Sequence, residues 1–138
     1  MKKLLLFLFT FGLLISNSVT AEIVLYCNAE LATGFNKKNG IYRTTNFKLE
    51  RYTVKFSDDY YEVKGLDIVG EKYAWQCNDS FDNKSYNTFV CSSDIYTGAT
   101  FSYHKETKRF VFFRGGATGF VDNGTDDNFM TAGTCKKF

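Results

Sequence analysis

From Ile23 onward the chain repeats with a period of two. Ile23, Leu25, Cys27, Ala29, Leu31, Thr33 and Phe35 fall on one face of an extended segment, while Val24, Tyr26, Asn28, Glu30, Ala32, Gly34 and Asn36 fall on the other. That is the signature of a half-buried strand. It continues through Ile41-Arg43-Thr45-Phe47, Tyr52-Val54-Phe56, Tyr61-Val63, Leu66-Ile68, Tyr73-Trp75-Cys77, "YNTFVCS", "ATFSYH", "RFVFFRG" and the closing "NFMTAGTCKKF". No segment after the leader places apolar residues at i, i+3, i+4 and i+7 over a useful length. The expected fold is therefore all-β: an antiparallel meander of about eight to ten short strands, closed as a small barrel or folded as a sandwich.

Turn chemistry punctuates the pattern. Asn39-Gly40 suits a type I′ hairpin because both residues tolerate positive φ. Ser57-Asp58-Asp59 and "KETK" (105–108) read as further turns, and "NDSFDNKS" (78–85) as a polar loop. Phe110, Phe112 and Phe113 cannot all face one side of a strand, so at least one points away from the others. "ATGF" occurs at 32–35 and again at 117–120, each copy followed by Asn-Gly at a different offset. We read the two copies as separate strands running into turns, each with a glycine that permits a bulge or a close backbone approach, and not as a duplicated site.

The first 21 residues stand apart. Met1-Lys2-Lys3 precedes the apolar run "LLLFLFTFGLLI", and "SNSVTA" follows with Val19 and Ala21 where a signal peptidase reads. The run is shorter than the roughly 20 residues of a membrane span. We expect a leader helix over 1–21, cleavage after Ala21, and one domain over 22–138 with no membrane span of its own. Export places the protein in the periplasm or secreted space. Absence of proline beside abundant Phe, Tyr, Asn and Lys is what AT-rich codons specify, which points to a low-GC bacterial source.

Removing the leader leaves 15 basic residues against 15 acidic ones, interspersed along the chain. No basic stripe exists for nucleic acid, nor a polybasic patch for a membrane surface.

Cys27, Cys77, Cys91 and Cys135 all lie after the leader, and an even number in an exported chain implies two disulfides. Three connectivities are possible. Cys77 and Cys91 flank the polar 78–85 loop, so their bridge staples a hairpin. Cys27 and Cys135 lie in the first and last strands, which are neighbours in a closed meander, so theirs locks the seam. Zinc is disfavoured, because no pair has C-x2-4-C spacing and His104 is the only histidine.

Catalytic chemistry finds little to stand on. His104 reads as an exposed hairpin residue. Asp58-Asp59 and Asp126-Asp127 are adjacent pairs in turn contexts, where Asp bonds the local backbone. The stretch 122–128 is the richest in oxygen ligands, yet it lacks the spacing of a calcium loop and reads as an Asx-rich hairpin loop. We expect no cofactor, no metal and no enzymatic activity.

Two kinds of site remain. Loops on a rigid scaffold carry recognition, which selects Asp122, Asn123, Asp126 and Asp127 in one loop and Asn78, Asp79 and Lys84 in another as contacts for a protein or envelope partner. Alternatively the barrel holds a small apolar ligand, with Trp75, Phe101 and Tyr103 in a cavity wall.

The set Gly34-Phe35, Asn39-Gly40, Phe47, "RYTVKF" (51–56), the four cysteines and Gly133-x-Cys135-x-Lys137-Phe138 resembles a group of small exported four-cysteine bacterial β-proteins of unassigned function. The resemblance spans most of the chain after the leader and implies envelope location and architecture only. The Gly-x-Trp of lipocalins is missing from the first strand. Small barrel inhibitors of lysozyme are similar in size, compartment and disulfide use, without a matching inhibitory loop here.

Overall fold

The computed structural model describes residues 22–66, 75–79, 87–93, 98–115 and 127–138; residues 1–21, expected from sequence to be a leader, lie outside them. Its strands are β1 (Ile23–Lys38), β2 (Ile41–Asn46), β3 (Arg51–Phe56), β4 (Glu62–Lys64), β5 (Trp75–Asp79), β6 (Thr88–Ser92), β7 (Ala99–His104), β8 (Arg109–Arg114) and β9 (Asn128–Lys137). From β3 to β9 each strand pairs antiparallel with the next, and β1 joins β3 to β9, so eight strands close into a barrel with β2 outside it. The described residues contain no helix.

The barrel departs from a simple meander at its first hairpin. Asn39 and Gly40 turn with φ of 53° and 79°, as their sequence demands. The chain then returns along β1 twice, as β2 and as β3, without changing register. Asn28 faces Arg51 and Thr33 faces Asn46, five residues further along each strand. β2 and β3 are thus one return arm, interrupted at Phe47–Glu50 but still tied to β1 by Phe47 N–H to Ala32 O (3.1 Å) and Ala29 N–H to Glu50 O (3.0 Å).

Opposite that interruption, the register of β1 on β9 slips between Ala29 and Leu31, which marks a β-bulge at Glu30. The bulge corrects the face assignment made from sequence. Leu25, Cys27 and Ala29 point inward as expected, but the inward phase then passes to Ala32. Leu31 and Phe35 face solvent, Leu31 at 69 % exposure. One extra residue moves every later side chain to the other face.

Inside, the barrel is filled. Phe56, Trp75, Phe101, Tyr103, Phe110 and Phe112 pack with Val54 and Val63 and with both disulfides. Phe101 stacks on Phe110 at 5.7 Å, and Phe56 lies 5.6 Å from Tyr103. Such ring pairs add to the large apolar area each aromatic buries. Phe113 is the odd member of its trio and points outward, as the strand period requires. Outward positions elsewhere carry Arg51, Arg109 and Lys136, the reverse of the lipid-facing pattern of membrane barrels. Among the described residues no helix is long and apolar enough to cross a membrane.

The two ends differ. At the end holding the β3–β4 and β7–β8 turns, Tyr60 adopts φ of 61°, a left-handed conformation that costs a tyrosine on the order of 1 kcal/mol. Its ring stacks on Phe89 at 4.8 Å, touches Phe56 at 5.2 Å and lies 3.9 Å below the Lys105 ammonium. These contacts hold the strained turn and cover that end of the barrel. His104, half-buried at the same end, has a local role: its Nδ1 accepts from the backbone N–H of Glu106 and Thr107, both at 3.2 Å.

Both disulfides join directly facing residues, Cys27 with Cys135 across the seam and Cys77 with Cys91 across β5 and β6. This is the connectivity expected from strand placement, and disulfides of this kind belong to an oxidising compartment. Their sequence separations are 108 and 14, worth about 5 and about 3 kcal/mol respectively by loop entropy. In urea denaturation, Cys27→Ala/Cys135→Ala is therefore expected to lose more stability than Cys77→Ala/Cys91→Ala. The opposite ranking would mean that strand pairing alone holds the seam.

Candidate functional site

A cleft of about 850 Å³ opens at the barrel end away from Tyr60. Its origin is the interruption of the return arm. The segment Lys48–Thr53 forms one side; Gly65 and Leu66, just past β4, form a second; Phe112 and Arg114 in the last part of β8 and Phe129 at the start of β9 form the third. Just past β4, Gly65 turns the chain at φ of 88° where it passes against Thr53 of β3. A side chain on Gly65 would fall on the carbonyl oxygen of Thr53, so the close approach of the two backbones needs glycine.

The floor is apolar. Leu66 and Phe112 are buried, and Phe129 is half-buried with its ring 6.0 Å from Phe112 and 5.5 Å from Phe47. The rim is polar. The Tyr52 hydroxyl donates to Glu50 Oε2 at 3.2 Å and lies 3.4 Å from the buried Thr131 hydroxyl. Burial raises the Tyr52 pKa, Thr131 opposes the shift, and the Glu50 carboxylate adds to it, so the phenol stays a neutral donor. The Arg114 guanidinium sits 6.0 Å over the Phe129 ring. Among the described residues, Lys48 and Arg51 join Arg114 as cations of the lining, with Glu50 as its carboxylate.

The residues singled out from sequence fare differently. Trp75, Phe101 and Tyr103 are 1, 0 and 1 % exposed and packed among other rings in the filled interior, below the cleft and not on its wall. Trp75 does touch the floor from beneath, 5.8 Å from Phe112. Asp127 has a structural partner set: its carboxylate accepts from Asn36 Nδ2 at 3.2 Å and from the Lys37 backbone N–H at 3.1 Å, tying the start of β9 to the end of β1. Asn78 is exposed and faces Val90, and Asp79 faces Phe89, at the end opposite Asp127. Lys84, Asp122, Asn123 and Asp126 lie outside the described residues, as does the second "ATGF" copy. Among the described residues no group of three His, Cys, Asp or Glu side chains is placed to hold a metal ion.

Sequence reasoning missed the cleft residues. A signal was present in "FKLERYTVKF": apolar positions run Phe47, Leu49 and then shift phase to Tyr52, Val54, Phe56. A phase shift inside a strand pattern marks an interruption, and here the interruption makes the site.

No protein-family model, curated protein or solved structure matches the chain.

Burial, with Tyr60 close by, pushes the Tyr103 phenol up from 10.0 to about 12. Because the folded value exceeds the unfolded one, this contribution to stability is intact below pH 10 and is lost as pH rises through 12. Tm is expected to fall across that window in the native protein and to fall less in Tyr103→Phe. An identical alkaline slope in both would show that Tyr103 is already solvated.

Proposed function

We propose that this chain is an exported, non-enzymatic binding domain of the bacterial periplasm or secreted space, and that it takes a small ligand at the open end of its barrel. The observation that supports this reading is the cleft: a concavity of about 850 Å³ whose lining combines Leu49, Leu66, Phe112 and Phe129 with an equal share of polar surface from Lys48, Glu50, Arg51, Thr53 and Arg114, at a barrel mouth, where small-molecule sites are favoured. Among the described residues the interior is packed with aromatic side chains, which favours the mouth over the bore. Against catalysis stands the placement of His104, which serves a turn at the opposite end.

Trp75 is the only tryptophan and abuts the floor through Phe112. Titration with an anilinonaphthalene sulfonate dye is expected to quench or shift its emission with one dye bound per chain. Leu49→Ser, at an exposed rim position, is expected to weaken binding about fivefold through lost apolar contact. Unchanged binding in Leu49→Ser would remove the cleft as the site.

A second reading has its own observation. Val111, Phe113, Met130 and Leu31 form an exposed apolar strip on the outer wall, with Phe113 and Met130 directly paired across β8 and β9. Such a strip suits contact with a protein or envelope partner. If Met130→Ser abolishes dye binding while Leu49→Ser does not, this outer face is the functional one.

A further inference from the structure

The geometry points to an amphiphile with a single apolar chain and one carboxylate head as the ligand class of this cleft, an inference that rests on the cleft being the binding site. The charge balance of the lining carries it. Lys48, Arg51 and Arg114 supply three cations, and among the described residues none of them forms an ion pair. Among the described residues of the lining the carboxylate is Glu50, already engaged by the Tyr52 hydroxyl at 3.2 Å. An occupant therefore meets surplus positive charge at the rim.

The arrangement also orders the two halves of such a ligand. The apolar side of the lining is the half-buried Phe129 ring with the edges of the buried Leu66 and Phe112, whereas Lys48 and Arg51 are exposed. Arg114 stands at the boundary, its guanidinium 6.0 Å over the Phe129 ring. A guanidinium held against a ring face keeps its N–H fork pointing outward and loses less freedom when it grips a carboxylate. A chain laid along Phe112 and Phe129 brings its head to Arg114 and Lys48. A neutral chain would gain the floor but forgo the rim, and a cationic one would be repelled.

The full exported protein distinguishes these cases by calorimetric titration with dodecanoate, dodecanol and dodecyltrimethylammonium, each below its micelle concentration. Two partly exposed ion pairs correspond to about a tenfold preference for dodecanoate over dodecanol. That preference is expected to shrink in high salt. Arg114→Gln and Lys48→Gln are each expected to lower dodecanoate affinity several-fold and to leave dodecanol unchanged; Lys48 is exposed, so its variant keeps the test sound if Arg114→Gln misfolds. Equal affinity for all three, or tighter binding of the ammonium, overturns the carboxylate assignment while leaving the cleft as the binding site. If none of the three binds, and the dye does not either, the cleft reading fails along with this one.

Discussion

Pairing of β1 with β9 is the constraint on which the molecule depends. Ten residue pairs from Leu25↔Lys137 to Phe35↔Asn128 join the first strand to the last, with Cys27 and Cys135 facing each other among them. Without that seam the sheet is an open ribbon whose aromatic face lies in water and whose two edges are unpaired, a state prone to aggregation. With it, the rings converge on a common interior, and the whole apolar face is withdrawn from solvent at once. The seam therefore decides the barrel, and the barrel decides which residues can be reached from outside.

What can be reached is set by a local defect in the same strand. β1 carries the seam on one edge and its own return arm on the other. The bulge at Glu30 lies where that arm breaks at Phe47–Glu50. Beyond the break the hairpin projects past the barrel as β2. Short of it, β3 turns Tyr52 and Val54 inward. Between them the wall opens, and Leu66, Phe112 and Phe129 become a floor. A barrel whose bore is filled by its own rings can present a concave surface only at such a place. Tyr60, stacked on Phe89 under Lys105, covers the other end.

Much of the scaffold could be read in advance because its determinants are local or covalent. Period-two patterning located the strands from β1 to β9, Asn39-Gly40 gave the first turn, and the positions of four cysteines along a closed sheet gave their pairing. The bulge escaped because Ala32 takes the inward place that Leu31 would have filled, and alanine tolerates either face. The aromatic cavity was a natural expectation for Trp75, Phe101 and Tyr103; packing instead brings neighbouring rings against all three. The cleft was hidden for a different reason. It joins residues near 50, 66, 113 and 129, and no sequence period links strands so far apart. Only the phase shift between Leu49 and Tyr52 hinted at where the wall would part.

The connectivity of the seam has a consequence for how the molecule is made. Cys77 and Cys91 lie 14 residues apart on adjacent strands and can meet as soon as one hairpin forms, whereas Cys27 must wait for Cys135, 108 residues later. A chain oxidised in the order in which its thiols emerge would join Cys27 to Cys77 first, a pairing that the closed barrel forbids. Oxidation of the whole chain then requires either that Cys27 stay reduced until Cys135 is available or that a wrong bridge be reshuffled by thiol exchange. The final crosslink thus works as a completion signal, since only a chain that has reached its last strand can form it.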